Sequence, residues 1–216
     1  MYTAPIIIDR AENTRGEIQL QKRDGEYEII SNGTFIMATY NGESERLLVK
    51  KAIEKAEQPK RVLIGGLGVG FSLATALAYP EIETVTVVEI ELKMIEWNQT
   101  YLANYSNEAL KDPRTVVIHA DFTNWMSQTK QIYDVICLDI DNGPDWMMID
   151  SNRSLYEKDS ICLLKSLLTP TGVVAFWSAT ASSKFVDRLQ EVFGDVSIYE
   201  VPQEHGEPDY VFVASQ

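Results

Sequence analysis

The chain has 216 residues, 45% of them hydrophobic and 24% charged, a composition that excludes disorder and leaves room for one α/β domain of ordinary size. No apolar run approaches the roughly 18 residues of a membrane span, and the start, MYTAPIIIDRAENTRG, does not read as a secretion signal. A net charge of −13 argues against a nucleic-acid partner and leaves two readings, solubility or a cationic ligand.

The first elements in chain order are three short strands, 17–23, 26–31 and 34–40. Asp24-Gly25 and Asn32-Gly33 separate them, and both pairs are hairpin turn signals. A small antiparallel β region over 1–43 is therefore expected ahead of a larger domain over 44–216. A helix over 44–57 follows, with Val49, Ile53 and Ala56 at helical spacing and Pro59 past its end. Strands are then expected at 61–65, 84–89, 114–119, 133–139 and 172–177. They alternate with helices near 69–79, 91–103, 121–129 and 155–168, the pattern of a parallel sheet with right-handed crossovers. A helix over 182–193 ends at Gly194. Two last strands, 195–201 and 208–214, are close enough to form a hairpin, which makes the final strand antiparallel. The fold class is α/β: a Rossmann-like, seven-stranded, mostly parallel sheet with helices on both faces. Seven strands with one reversed resemble the class I fold of S-adenosylmethionine-dependent enzymes.

The loop after the first strand of such a sheet is where ligands collect. Here RVLIGGLGVG supplies Gly65, Gly66, Gly68 and Gly70. A dinucleotide fingerprint needs its third glycine at 71, which is Phe71. Glycine falls at 70 instead, and G-x-G-x-G resembles the S-adenosylmethionine loop, its bare backbone facing a nucleoside. Glu89 ends the second strand of the sheet, where an acid can accept from ribose hydroxyls. Asp121 follows the third strand; in this fold such an acid meets the adenine amine, and a helix N-cap is its other reading. The stretch YDVICLDIDNGPDW places Asp139 at the edge of the next strand, with Asp141, Asn142 and Asp145 just beyond. Such crowded carboxylates are costly in a cleft without a counter-charge. Ligand amines would supply one. A metal is the other candidate for D-x-D-N, although EF-hand spacing is absent, and no metal is expected.

In VLIGGLGVG, VTVVEIE, DPRTVVIHAD, YDVICLDIDNGP and LYEKDSICLLKSLLTPTGVVAFW, the chain resembles the spermidine synthase family of polyamine aminopropyltransferases. The resemblance spans about 61–177, and the meander resembles that family's N-terminal β region. It implies Glu89 on ribose, Asp121 on adenine, Asp139 as the catalytic aspartate and Asp141 near the amine substrate, with Asn142, Glu45 and Tyr156 beside it. It implies decarboxylated S-adenosylmethionine as donor, a small cationic amine as partner, and a homodimer. The departures are local. The family's loop aspartate, which holds the donor's amine, is Gly68 here, and the glutamine that also grips the donor is Ile36. Loss of the loop carboxylate keeps S-adenosylmethionine itself, and so a methyltransferase, as the alternative. A non-catalytic nucleoside or polyamine sensor is a third reading.

Smaller features have packing readings. Cys137 and Cys162 lie in apolar runs and are expected as buried free thiols, in keeping with a cytoplasmic setting. His119 reads as a core histidine and His205 as part of a polar hairpin. Trp97, Trp125 and Trp177 read as packing. Trp146, Met147 and Met148, just after the acidic loop, read as an apolar lid.

Overall fold

Two antiparallel hairpin turns organise the first part of the chain. In the computed structural model, which describes residues 3–147, 150–203 and 206–216, Asp24, Gly25, Asn32 and Gly33 all have positive φ. That is what a two-residue hairpin loop demands of its central positions. The strands β1 (Ile6–Asn13), β2 (Gly16–Arg23), β3 (Glu26–Ser31) and β4 (Thr34–Ala38) form one sheet in sequential order. Strand β1 is an addition to the expected meander. It is an edge strand whose register shifts between Ile7 and Asp9, with Ile6 and Ile7 exposed. An edge strand of this kind need not alternate apolar and polar residues, so its sequence carries no period of two. Strand β4 stops at Ala38 because the Asn41 side chain takes the Ala38 N–H at 2.9 Å.

After helix α1 (Glu43–Lys55) come β5 (Arg61–Gly65), α2 (Phe71–Leu77), β6 (Thr84–Glu89), α3 (Leu92–Gln99), β7 (Thr115–His119), α4 (Phe122–Met126) and β8 (Tyr133–Leu138). The chain continues through α5 (Lys158–Ser166), β9 (Leu168–Ser178), α6 (Ser183–Phe193), β10 (Asp195–Val201) and β11 (Asp209–Ser215). Among the described residues the second sheet has seven strands in the order β10-β11-β9-β8-β5-β6-β7. The pairs from β9 through β7 are parallel, and β11 lies antiparallel between β9 and β10. The expected fold class is the observed one. Strand order reverses between β5 and β8, so the carboxyl ends of these two strands frame the switch-point crevice.

Period-two alternation divides the core. Val62, Ile64, Val135, Cys137, Val173 and Val211 face one side, where the small sheet's Ile18, Leu20, Ile29 and Met37 join them. Leu63, Ile136, Leu138, Phe176 and Phe212 face the other, against Leu164 of α5 and Phe185 and Leu189 of α6. The small sheet is also tied to α3, where Asp9 Oδ2 accepts from Trp97 Nε1 at 2.9 Å and Lys93 Nζ at 3.1 Å.

Several expected boundaries move. Helix α3 ends at Gln99, because the Leu102 N–H bonds back to the Trp97 carbonyl and turns the chain so that Leu102 is buried. Helix α4 spans five residues, and α5 begins at Lys158 after a 3-10 segment, Asp150–Tyr156. Cys162 is exposed, not buried. It follows Ile161, which faces the core, and one residue of helix rotates the next side chain by about 100° away. His119 is also exposed. It ends the edge strand β7, with Nε2 3.1 Å from the Ile90 carbonyl, and is no core histidine. His205 and Met148 lie outside the described residues. No helix among the described residues is long and apolar enough to cross a membrane.

Phe185 is fully buried, edge-to-face on Phe176, Phe212 and Tyr156 at centroid distances of 4.9, 5.5 and 5.4 Å. Phe185→Ala is expected to lower unfolding free energy by about 3–5 kcal/mol. Urea titration would read this as a lower midpoint at unchanged slope.

Candidate active site

The crevice is built from the glycine loop between β5 and α2. Its glycines answer first to the protein itself. A Cβ on Gly66, whose φ is +89°, would lie 2.1 Å from the Asp139 carbonyl oxygen. One on Gly68, at φ +53°, would lie 2.6 Å from the Met37 sulfur of β4. Glycine at these positions lets the loop press against the end of β8 on one side and the small sheet on the other. Protein atoms thus fill the space beside these glycines. Gly66 and Gly68 still line the cavity. Gly65 and Gly70 do not; added Cβ atoms there would meet Leu138, Phe122 and Ile140, or Ser106 and Asn98.

Glu89, at the carboxyl end of β6, is 6% exposed and lines the same cavity. Its Oε2 accepts the Leu67 N–H and its Oε1 the Glu91 N–H, both at 2.7 Å. These bonds fix the carboxylate and leave each oxygen a lone pair for a ligand hydroxyl. Burial pushes its pKa up, against the opposing effect of the two backbone donors. The β1–β2 hairpin closes this end. Arg15 Nε donates to Glu91 Oε1 at 2.7 Å, Arg15 Nη2 to the Ile90 carbonyl at 3.0 Å, and Asn13 Nδ2 to Glu91 Oε2 at 2.9 Å.

Asp139 follows β8 directly. Among the described residues its carboxyl accepts no hydrogen bond, and it lines the cavity. Its pKa is raised well above the ordinary aspartate range, first by burial and then by the charges of Glu45, Asp209 and Glu89. Asp141 is buried, with Oδ1 accepting the Asn142 N–H and Oδ2 accepting Asn152 Nδ2, both at 2.8 Å. The Asn142 carbonyl in turn accepts the Ala179 N–H at 2.9 Å, which anchors the acidic loop to the end of β9. Glu45, in the first turn of α1, is buried and lines the cavity, with its pKa raised by burial and by Asp209. Together the structure gathers Gly66, Gly68, Glu89, Asp139, Asp141, Asn142 and Glu45 around one cavity.

Other expected residues stand elsewhere. Asp121 is the N-cap of α4, its Oδ1 accepting the Asn124 N–H at 2.9 Å and the Thr123 hydroxyl at 2.5 Å; it is not part of the cavity lining. Tyr156 packs in the aromatic cluster behind the cavity, where burial and the charges of Asp141 and Asp139 push its pKa up. Trp146 is 55% exposed, and neither it nor Met147 lines the cavity, so the described part of the expected lid does not cover it.

With that geometry in hand, residues 43–193 match the family model described as Spermine/spermidine synthase domain. The chain belongs to this family. The polyamine aminopropyltransferase of Serratia proteamaculans is 31% identical over 154 residues, 69% of this chain and 53% of that protein. That of Enterobacter sp. is 32% identical over 157 residues, 68% of this chain and 52% of that protein. The chain spans about half the length of these relatives. The structure of spermidine synthase from Thermotoga maritima matches with a TM-score of 0.80 at 19% identity, over 98% of this chain and 73% of that one. Human methyltransferase-like protein 13, solved with SAH, matches with a TM-score of 0.59 at 22% identity, over 80% of this chain and 78% of that one. Both likenesses establish the fold.

Sequence reasoning missed Arg15, Glu91 and Trp177, all of which line the cavity, and Ser44 and Asp209, which pack behind Glu45. Arg15 sits between two strands of a hairpin that carries no period, and Asp209 begins the last strand. No local spacing links either to the glycine loop.

Asp139 gives a test that needs no substrate. A carboxyl whose folded pKa is raised contributes stability below its unfolded value, and loses that contribution as pH rises through the folded value. The Asn variant has no such loss. Asp139→Asn is therefore expected to be more stable than the wild type near pH 8, with the gap closing toward about pH 4. Each tenfold difference in proton affinity is worth about 1.4 kcal/mol. Thermal melts across this range check it; a gap independent of pH would contradict a raised Asp139 pKa.

Proposed function

We propose that this cavity transfers an aminopropyl group from decarboxylated S-adenosylmethionine to a small cationic amine. The observation that carries this is the charge of the lining. Glu89, Asp139 and Asp141 converge on one cavity with the Glu45 carboxyl beside them, while Arg15, the one cation of the lining among the described residues, already pairs with Glu91. A donor bearing a sulfonium and an ammonium suits such a site. The intact methionine carboxylate does not, since at about 4 Å from one of these acids it would be repelled by roughly 4 kcal/mol at an effective dielectric of about 20.

Glu89, held by two backbone donors, takes the ribose hydroxyls. Asp121 has both its described hydrogen bonds on Oδ1, and in this reading Oδ2 is what remains for the adenine amine. The sulfonium supplies an electrophilic carbon. An alkylamine with a pKa of about 10 arrives as ammonium and must lose a proton before its lone pair can attack. Asp139, whose carboxyl accepts no hydrogen bond among the described residues, orients the acceptor and receives that proton. Asp141, fixed by Asn152, anchors the second cationic end, and Asn142 shapes the loop around it. The C–N bond forms as the C–S bond breaks, and the thioether nucleoside leaves with the electron pair. The raised Asp139 pKa makes it a more willing proton acceptor than an ordinary carboxylate. Tyr156 supports this wall from behind.

One observation favours methyl transfer from intact S-adenosylmethionine. Beside Gly68 the lining is apolar, formed by Met37 and Ile36, with no carboxylate to hold an aminopropyl ammonium. Calorimetric titration with both nucleosides separates the readings. Tight binding of the decarboxylated form and weak binding of the intact one is expected; the reverse would replace aminopropyl by methyl transfer. Asp139→Asn is expected to lower kcat by about 10²–10⁴ while the donor still binds. Wild-type protein that binds a donor but turns over no amine would make the chain a sensor.

A further inference from the structure

The first turn of α1 and the start of β11 meet beside the cavity, although 165 residues separate Ser44 from Asp209. Ser44 Oγ lies 2.7 Å from Asp209 Oδ2 and 3.0 Å from Glu45 Oε2. A hydroxyl has one hydrogen, so it can donate to only one of these oxygens. The other contact is satisfied when that second carboxyl carries a proton and donates to Oγ. Two ionised carboxylates would leave one buried oxygen facing an acceptor, at a place where Ser44 is 3% and Glu45 8% exposed.

The surroundings decide which acid holds the proton. Asp209 is half-buried, and its Oδ2 accepts a second bond from Gln203 Nε2 at 2.6 Å. The Trp177 indole beside it also favours its ionised form, partly offsetting the upward effect of burial. Glu45 is deeper, faces the charge of Asp209, and has Arg46 as its nearby cation. The Arg46 guanidinium stacks 4.1 Å from the centre of the Phe71 ring. Beyond Glu45, the cavity presents Asp139, which feels Glu89 as well. The proton therefore belongs to Glu45, and Ser44 donates to Asp209.

We propose that Glu45, Ser44 and Asp209 form a proton exit from the acceptor side of the cavity. Glu45 is the inner acid, Ser44 the carrier and Asp209 the outer acid on the solvent side. In one transfer the Glu45 O–H bond breaks as its proton moves to Ser44 Oγ, and the Ser44 O–H bond breaks as its proton moves to Asp209 Oδ2. Asp209 then releases a proton to water, and the Glu45 carboxylate takes up the next proton, which Asp139 has received from the acceptor nitrogen. The sequence moves one proton outward per turnover and changes no oxidation state. The shared proton stands on geometry alone; its use as an exit rests on the alkyl-transfer reading.

Carboxyl ¹³C NMR of the wild-type protein, with neither donor nor amine, tests the first part. Glu45 and Asp209 are expected to titrate in two separated, mutually dependent steps, uncoupled by Ser44→Ala and kept by Ser44→Thr. Independent titrations that Ser44→Ala leaves unchanged would overturn the shared proton. Turnover tests the second part. Ser44→Ala is expected to lower kcat by roughly a hundredfold with KM retained, the low end of what positioned proton transfer contributes, and Ser44→Thr to restore it. Asp209→Asn removes a negative charge, so Asp139 and Glu45 ionise more readily and the acidic limb of kcat/KM moves to lower pH. A Ser44→Ala enzyme with wild-type kcat at every pH would overturn the exit. Coupled titration in a protein that turns over no amine with either donor would remove the alkyl-transfer reading and the exit with it, leaving the shared proton established.

Discussion

The contact between Gly66 and the Asp139 carbonyl sets the geometry of the whole crevice. Strands β5 and β8 pair in parallel, and the Asp139 N–H bonds the Gly65 carbonyl at 2.9 Å, so the two chains leave the sheet side by side. Any side chain at 66 would force them apart. Because they stay together, the loop's Leu67 N–H reaches Glu89 on one side while Asp139 opens into the cavity on the other. Glu89 and Asp139, two buried acids of the cavity, are thus placed in register by one close backbone approach, and the parallel sheet makes that approach rigid. Precision of this kind is what a displacement between two bound reactants requires.

Gathering acids at one sheet edge works against folding. Each carboxylate loses water and gains a like-charged neighbour, and burial is the largest cause of the raised pKa at Glu45, Glu89, Asp139 and Asp209 alike. The fold offsets part of this with backbone N–H groups at Glu89 and side-chain donors at Asp209, but among the described residues gives Asp139 none. The acid that accepts no hydrogen bond among the described residues is one of those facing the cavity. A cationic ligand would supply the missing counter-charge, so the same arrangement that weakens the empty protein strengthens binding.

Most of the large sheet was legible in the sequence because its strands lie between two packed faces. Runs such as Val62–Leu63–Ile64 have to bury both sides, and the glycines and acids at their ends mark the carboxyl edge. The small sheet was legible only where turn chemistry spoke, at Asp24-Gly25 and Asn32-Gly33. Strand β1 was silent because an edge strand buries little. At the site, Glu89 and Asp139 could be read because each ends a strand that announces itself. Arg15 and Asp209 could not, since their place depends on how separate elements pack, and no spacing records that. Asp121 shows the limit from the other direction: its position was right, and the local bonds it makes are those of a helix cap.

Gly68 joins these threads. Read along the chain, it is a loop residue that lacks a carboxylate. In space, the room its side chain would need is taken by Met37 from β4, while Ile36 beside it lines the cavity. The identity of residue 68 is therefore coupled to the register of the small sheet. The β3–β4 register shifts between Ile29 and Ile30, where Ile36 of β4 is the extra residue between Phe35 and Met37. A bulge re-aims the side chains next to it. The small sheet then has two duties at the cavity: its first hairpin brings Arg15 to Glu91, and its last strand brings a thioether to the loop. A side chain at 68 would require the flexible Met37 thioether to swing aside, besides adopting a φ of +53° that favours glycine. The shape of the cavity beside residue 68 is consequently a property of the packing between the two sheets, not of the glycine loop alone.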